Sequence, residues 1–199
     1  LEPRDPSKDV SVLFRDCRDN PKREPGPINI QKTVGGFYYQ GIPTFFRAPV
    51  ALCPEDLKAG KVDVAIMGAS FDMSTSMRGT AWGPQAVRTG EVGAMAWGDV
   101  LALAHPAVGE IDFMQELRVV DYGDAPIDPL STERSLLGVR KMVKEIAETG
   151  AIPVIVGGDH SLMYPDVVAV TDVYGKGKVG VKHYDAHFDG IPLMFGHYI

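Results

Sequence analysis

The sequence predicts an α/β fold of three layers, α/β/α, with a parallel sheet in the middle. Short apolar, β-branched runs alternate with helical segments. The runs are apolar at successive positions, as strands covered on both faces require. Acidic and histidine residues collect just after the runs, outside the carboxyl ends of the strands, where open parallel sheets place their sites.

Regular alternation is expected from residue 61 onward. Val62-Asp63-Val64-Ala65-Ile66-Met67 reads as a buried strand ending at Gly68. A polar loop with Asp72, Ser74, Ser76, Arg78, Gly79 and Thr80 follows. A helix then starts at Gly83-Pro84, with the proline in the first turn, where its missing N–H costs nothing. Leu117-Arg118-Val119-Val120 reads as a second strand, followed by Asp121, Gly123 and Asp124. Ser131 or Thr132 caps an amphipathic helix whose apolar positions are Leu136, Val139, Val143, Ile146 and Ala147, and Gly150 ends it. A third strand spans 152–156, a helix runs from about Ser161 to Tyr174, and a fourth strand covers 179–184. The fold is expected to be truncated after about the fourth or fifth strand. Residues 1–60 hold eight of the fifteen prolines and a cluster of aromatics, Phe37, Tyr38, Tyr39, Phe45 and Phe46. Exposed rings are unfavourable, so this stretch is expected to be an arm packed on its own domain or on a neighbouring subunit.

Bulk composition excludes several classes. A net charge of -6 argues against a nucleic-acid partner, which wants a basic stripe. No run approaches the roughly eighteen apolar residues of a membrane helix. Two cysteines, Cys17 and Cys53, imply no disulfide framework and fit a reducing, cytoplasmic setting. The polar, Pro-rich N-terminus is not a secretory signal.

The chemistry concentrates in His183-Tyr184-Asp185-Ala186-His187-Phe188-Asp189. In extended backbone, alternate side chains share a face. Asp185, His187 and Asp189 therefore lie on one side within about 14 Å of chain. Two carboxylates held together unpaired would repel, and a divalent cation removes that cost. A second strand ends in Gly157-Gly158-Asp159-His160-Ser161, again with Asp and His at its tip.

These two segments resemble signatures of the ureohydrolases, the arginase and agmatinase family. The loop from Asp72 through Arg78-Gly79-Thr80 to Gly83-Pro84 and Val87-Arg88 is similar to that family's glycine-rich first loop, and Asp121-Tyr122-Gly123-Asp124 to its D-x-G-D element. The resemblance spans residues 61–199. Its N-terminal arm and the ending Phe188-Asp189-Gly190-Ile191-Pro192-Leu193-Met194 look closer to the guanidine hydrolase branch. The resemblance implies an arginase-like fold and hydrolysis of a guanidino C–N bond, in free guanidine or an agmatine-like compound, to urea plus ammonia or an amine. It implies two divalent ions, Mn2+ or Ni2+, since every ligand is O or N. By resemblance, His160 and Asp189 hold one ion and His187 the other, and Asp185 bridges them. Asp189 also orients the attacking hydroxide. Such ions lower the pKa of a bound water from about 15.7 to about 7.

Other residues are read more plainly. His183 is expected to be a buried histidine behind the ligands. His197 is a weak candidate for substrate binding, because no glycine follows it. His105 is expected in a surface loop, and Trp82 and Trp97 in packing. Asp72, Asp121, Asp124 and Asp159 are expected to order loops. The family draws two further metal carboxylates from a later D-x-D motif that 1–199 lacks. The chain is therefore expected to be the N-terminal part of a longer protein, binding metal weakly and without turnover on its own. The family also implies a homo-oligomer, trimer or hexamer.

Two alternatives stay open. A zinc deacetylase of similar fold would use one ion and would not need Asp189. A non-catalytic metal-binding or assembly subunit would release no urea. An iron/2-oxo-acid dioxygenase would also fit His183-x-Asp185 but not the strand–helix alternation.

Overall fold

The computed structural model describes residues 9–14, 22–32, 40–74, 78–90, 102–105, 109–190, 193–194 and 197–198, and of several of these in the short strands only the backbone. In chain order its elements are helix α1 (Pro54–Ala59), strand β1 (Val64–Ala69), α2 (Gly83–Thr89), β2 (Ala102–His105), β3 (Gly109–Asp112), α3 (Phe113–Glu116), β4 (Val119–Asp124), α4 (Thr132–Glu148), β5 (Ile152–Gly157), α5 (Met163–Tyr174), β6 (Leu193–Met194) and β7 (His197–Tyr198). Single 3-10 turns span Ser11–Leu13, Phe45–Arg47, Thr80–Trp82 and His160–Leu162.

The central sheet is parallel, in the order β4-β1-β5. β1 runs in register with β5 from Val64 opposite Ile152 to Ala69 opposite Gly157. On its other side Ile66 faces Asp121 and Gly68 faces Asp124, with one irregularity between. All three strands therefore end together, and their C-terminal loops share one rim.

Strand alternation splits the apolar side chains between two faces. Ala65, Met67 and Val120 turn toward Val139, Val143 and Ile146 of α4 in the larger core. Ile66 and Val119 turn the other way, onto Phe45 and Ala48. The described part of the first sixty residues thus closes the second face. It adds backbone pairing as well: Asp121 N–H donates to Pro49 O at 2.9 Å, and Ala51 N–H to Asp121 O at 3.0 Å. The buried Asp56 anchors it, accepting from Arg23 Nη2 at 2.9 Å, Gly26 N–H at 2.8 Å and Leu52 N–H at 2.9 Å. Burial raises the Asp56 pKa, but Arg23 and the two N–H groups outweigh it, and the carboxyl ends below its ordinary value.

α4 forms where its periodicity predicts. The Ser131 hydroxyl accepts from Arg134 N–H at 3.2 Å and caps the first turn. Gly150 leaves the helix at φ +89°, a conformation glycine adopts without strain.

Four features depart from the sequence reading. β4 starts two residues later than expected and continues through the D-x-G-D stretch, because pairing with β1 extends to Asp124. The antiparallel hairpin β2–β3 was not anticipated. β5 is not covered on both faces: Ile152 and Val154 are exposed. The expected strand over 179–184 does not form; residues 179–190 carry no regular structure, and 181–190 are exposed. A strand needs a paired neighbour and apolar cover. Among the described residues this charged stretch, with Lys182, His183, Asp185, His187 and Asp189, has neither.

The aromatic cluster at 37–39, together with Cys17, Ser76 and Trp97, lies outside the described residues, as do the side chains of His105 and His197. Cys53 is buried, its Sγ donating to Asp56 Oδ2 at 3.6 Å.

Candidate metal centre

The site begins with the β5 tip. Gly158 has φ +78°, and a Cβ there would meet Ala69 O at 2.5 Å and Phe71 O at 2.6 Å. Only glycine lets the chain cross β1 this closely. The crossing is fixed by Asp159, whose N–H donates to Phe71 O at 2.8 Å. Its carboxylate accepts from Ser74 N–H at 3.1 Å and from Ser161 N–H at 3.1 Å. Asp159 thereby caps the His160–Leu162 turn and fixes the direction in which His160 leaves the sheet.

Opposite His160 comes the 183–189 segment. The His160 and His183 rings stack, 5.1 Å between centroids and 25° between planes. His160 Nε2 is 3.7 Å from Asp189 Oδ2. His183 Nε2 is 3.8 Å from Asp185 Oδ2 and 4.0 Å from Asp189 Oδ2. His160, His183, Asp185 and Asp189 each offer one donor atom, and these atoms all lie within 4.8 Å of one another. Separations of 3.7 to 4.0 Å are too long for hydrogen bonds. They suit donors around one cation, since ligands about 2.1 Å from an ion stand about 3 to 4 Å from each other. The donors are imidazole nitrogens and carboxylate oxygens, the set that zinc, nickel and manganese accept. The residues present therefore fit a divalent ion.

Three of the four expected ligands, His160, Asp185 and Asp189, come together. The fourth, His187, lies outside the group with its side chain 80% exposed, its Nδ1 3.4 Å from Asp185 Oδ1. His187 serves Asp185 through its backbone: its N–H donates to Oδ1 at 2.9 Å. That bond holds the Asp185 carboxyl below its ordinary value; desolvation opposes it, and the imidazoles of His183, His160 and His187 add to it. His183 is not buried as expected. It joins the donors, its ring stacked on that of His160 and its Nε2 within 4.0 Å of both carboxylates.

The remaining acids order loops. Asp72 accepts from Gly79 N–H at 2.7 Å. Asp121 and Asp124 grip Arg88, a pairing that the sequence reading did not assign. Arg88 Nε and Nη2 donate to Asp121 at 2.8 and 2.9 Å, Nη1 donates to Asp124 at 2.7 Å, and the guanidinium lies 4.0 Å from the Phe45 ring centroid. Burial lowers the Arg88 pKa, but Asp121 and then Asp124 more than reverse it. Asp166, on α5, lines a cavity of about 500 Å³ beside Ile155, Leu162 and His160. Its Oδ1 is buried without a hydrogen-bond partner, and burial pushes the carboxyl up to about 7. Trp82, expected in packing, is 72% exposed.

The fold and this cluster define a class: an α/β protein with a candidate divalent-cation centre at the carboxyl ends of parallel strands. The chain belongs to the arginase family, whose model matches residues 62–195. It is 31% identical over 184 residues to the mitochondrial guanidino acid hydrolase of Homo sapiens, which covers 92% of this chain and 46% of the relative. Among solved structures, the proclavaminate amidino hydrolase of Streptomyces clavuligerus superposes with a TM-score of 0.65 at 28% identity, covering 82% of this chain and 50% of that one. A Trypanosoma cruzi formiminoglutamase solved with Mn2+ shares the fold alone, with a TM-score of 0.56 at 23% identity over 69% of this chain and 44% of that one. The chain spans about half the length of the relatives it matches.

Proposed function

We propose that the protein is a guanidino hydrolase that cleaves the C–N bond of a small cationic substrate, free guanidine or an agmatine-like compound. The balance is guanidinium plus water giving urea plus an ammonium or alkylammonium ion. The observation that carries this reading is the meeting of His160, His183, Asp185 and Asp189 at the sheet rim.

His160, Asp185 and Asp189, joined by His183, would hold a divalent ion, Mn2+ or Ni2+, and the exposed His187 beside Asp185 would be left for a second, weaker one. When bound, such ions make water a competent nucleophile near neutral pH. The protein's own groups do the rest. Asp189 accepts a hydrogen bond from the attacking water and directs it at the planar carbon. The carboxylates of Asp185 and Asp189 draw in the cationic substrate. Asp159 keeps His160 from swinging away by fixing its turn. His197 is a candidate contact to the substrate. We assign residues 1–60 as a packing arm and 61–199 as part of the catalytic domain. A cytoplasmic homo-oligomer with no nucleic-acid or membrane partner completes the reading.

The test is urea release by the complete gene product, supplied with Mn2+ or Ni2+, over a panel of guanidine, agmatine and guanidino acids. Urea from at least one substrate, abolished by Asp189→Asn, is expected. A silent panel with both metals would overturn the assignment. A single-cation deacetylase reading draws on the fact that the four donors form one group with His187 outside it. Metal counted per active site separates the two.

A further inference from the structure

We infer that Trp82 is an aromatic wall of the substrate site, stacking on the planar guanidinium. This rests on the guanidino reading above and adds a specificity-determining residue to it. The loop that carries Trp82 is fastened to the loop that carries His160. Ser74 N–H donates to Asp159 Oδ2 at 3.1 Å, and Gly158 N–H donates to Thr80 O at 3.3 Å. Where the Thr80–Trp82 turn enters α2, a Cβ on Gly83 would stand 2.3 Å from Gly157 O. So Trp82 sits on a turn pressed against the β5 tip, three residues of chain from His160. Trp82 N–H donates to Gly79 O at 3.2 Å, which fixes the backbone of the turn.

The side chain on this fixed turn is left in solvent. A largely exposed indole is unfavourable unless something covers it. It is not alone. Tyr164, one turn beyond His160, and Tyr184 and Phe188, which alternate with the ligand residues of the 183–189 segment, are also exposed. Tyr184 and Phe188 thus set exposed aromatic surface next in the chain to the acidic donors, and Trp82 stands on the turn docked against the β5 tip that leads to His160. A ring face attracts a cation, and a flat guanidinium stacks on it while its N–H groups remain free to reach carboxylates at its edge. Arg88 over Phe45, at 4.0 Å, shows the same pairing inside this fold. Trp82 would thus select planar guanidinium heads over ammonium ions of equal charge.

The 199 residues hold two tryptophans, Trp82 and Trp97, so the indole signal that differs between the Trp97→Phe protein and the Trp82→Phe/Trp97→Phe protein is that of Trp82. The experiment uses the complete gene product with Mn2+ and titrates guanidine, agmatine and n-butylamine. That Trp82 fluorescence should change saturably with the two guanidino compounds and not with the amine. Trp82→Ala should weaken guanidino binding by about three- to thirty-fold and raise KM with kcat little changed, whereas Trp82→Phe keeps most of the affinity. Far-UV circular dichroism and Mn2+ affinity should match the parent, since the side chain is exposed. Guanidino binding that is equal in parent and Trp82→Ala, or a loss confined to kcat, overturns the wall and leaves the function standing. Absence of guanidino binding and of urea release in the parent overturns both.

Discussion

Replacing Arg88 with Met should cost about 3 to 5 kcal/mol of folding stability. Asp121 is 3% exposed, and Arg88 gives it two parallel N–H bonds at 2.8 and 2.9 Å. Methionine keeps much of the stem's packing on Phe45 but leaves the Asp121 carboxylate buried with only the N–H groups of Phe45 and Gly123, at 3.0 and 2.8 Å. Removing one partner of a buried pair is far more costly than removing both, because the survivor keeps its desolvation penalty. Asp124 softens the loss little, since its own carboxylate is half-exposed and returns to water. With a urea dependence of about 2 kcal/mol/M, the unfolding midpoint should fall by about 1.5 to 2.5 M. The double variant Arg88→Met/Asp121→Asn should be more stable than the two single losses added together, by about 1.5 kcal/mol or more. A loss under about 1 kcal/mol for Arg88→Met, or additivity within about 0.5 kcal/mol, refutes the clamp.

Calorimetric titration with Mn2+ should show His183→Ala losing at least about tenfold in affinity and His187→Ala under about threefold; the reverse order would restore the ligand set read from the sequence. Burial pushes the Asp166 carboxyl from the ordinary value of 3.8 up to about 7, so the folded state holds a proton that the unfolded chain has released between those pH values. Stability must therefore fall as pH rises from about 4 to about 7 and then level off, and Asp166→Asn should flatten that fall, by an amount on the order of 4 kcal/mol at most. Parallel thermal profiles of the two proteins from pH 4 to 8 would contradict it. Ser131→Ala removes the cap on α4 and should cost about 1 kcal/mol in chemical denaturation; an unchanged midpoint would mean the 3.2 Å bond to Arg134 N–H is not used in solution.

Much of the architecture was legible in local pattern. β1, α4, β5 and α5 lie close to where hydrophobic spacing put them: β1 and α4 bury continuous apolar faces, and Ser131, Gly150 and the Gly157-Gly158 pair mark element ends. Gly158 was readable as a tip residue, and the Asp and His types around it as metal donors. The segment 179–184 misled, because Val179-Gly180-Val181 looks like a strand wherever it stands. Whether it becomes one depends on a neighbour to accept its hydrogen bonds. Trp82 misled for the opposite reason: its residue type suggests burial, and only the docking of its turn on the β5 tip leaves it outside.

By itself, the sequence determined that parallel strands alternate with helices and that imidazole and carboxylate groups gather beyond their ends. Those are consequences of backbone period and side-chain chemistry, which act over a few residues. The tertiary structure decided that His183 rather than His187 stands with His160, and that Arg88 ties the segment from Phe45 to Ala51 to the rim through Asp121. Both depend on how distant segments approach in space, and no local pattern encodes that distance.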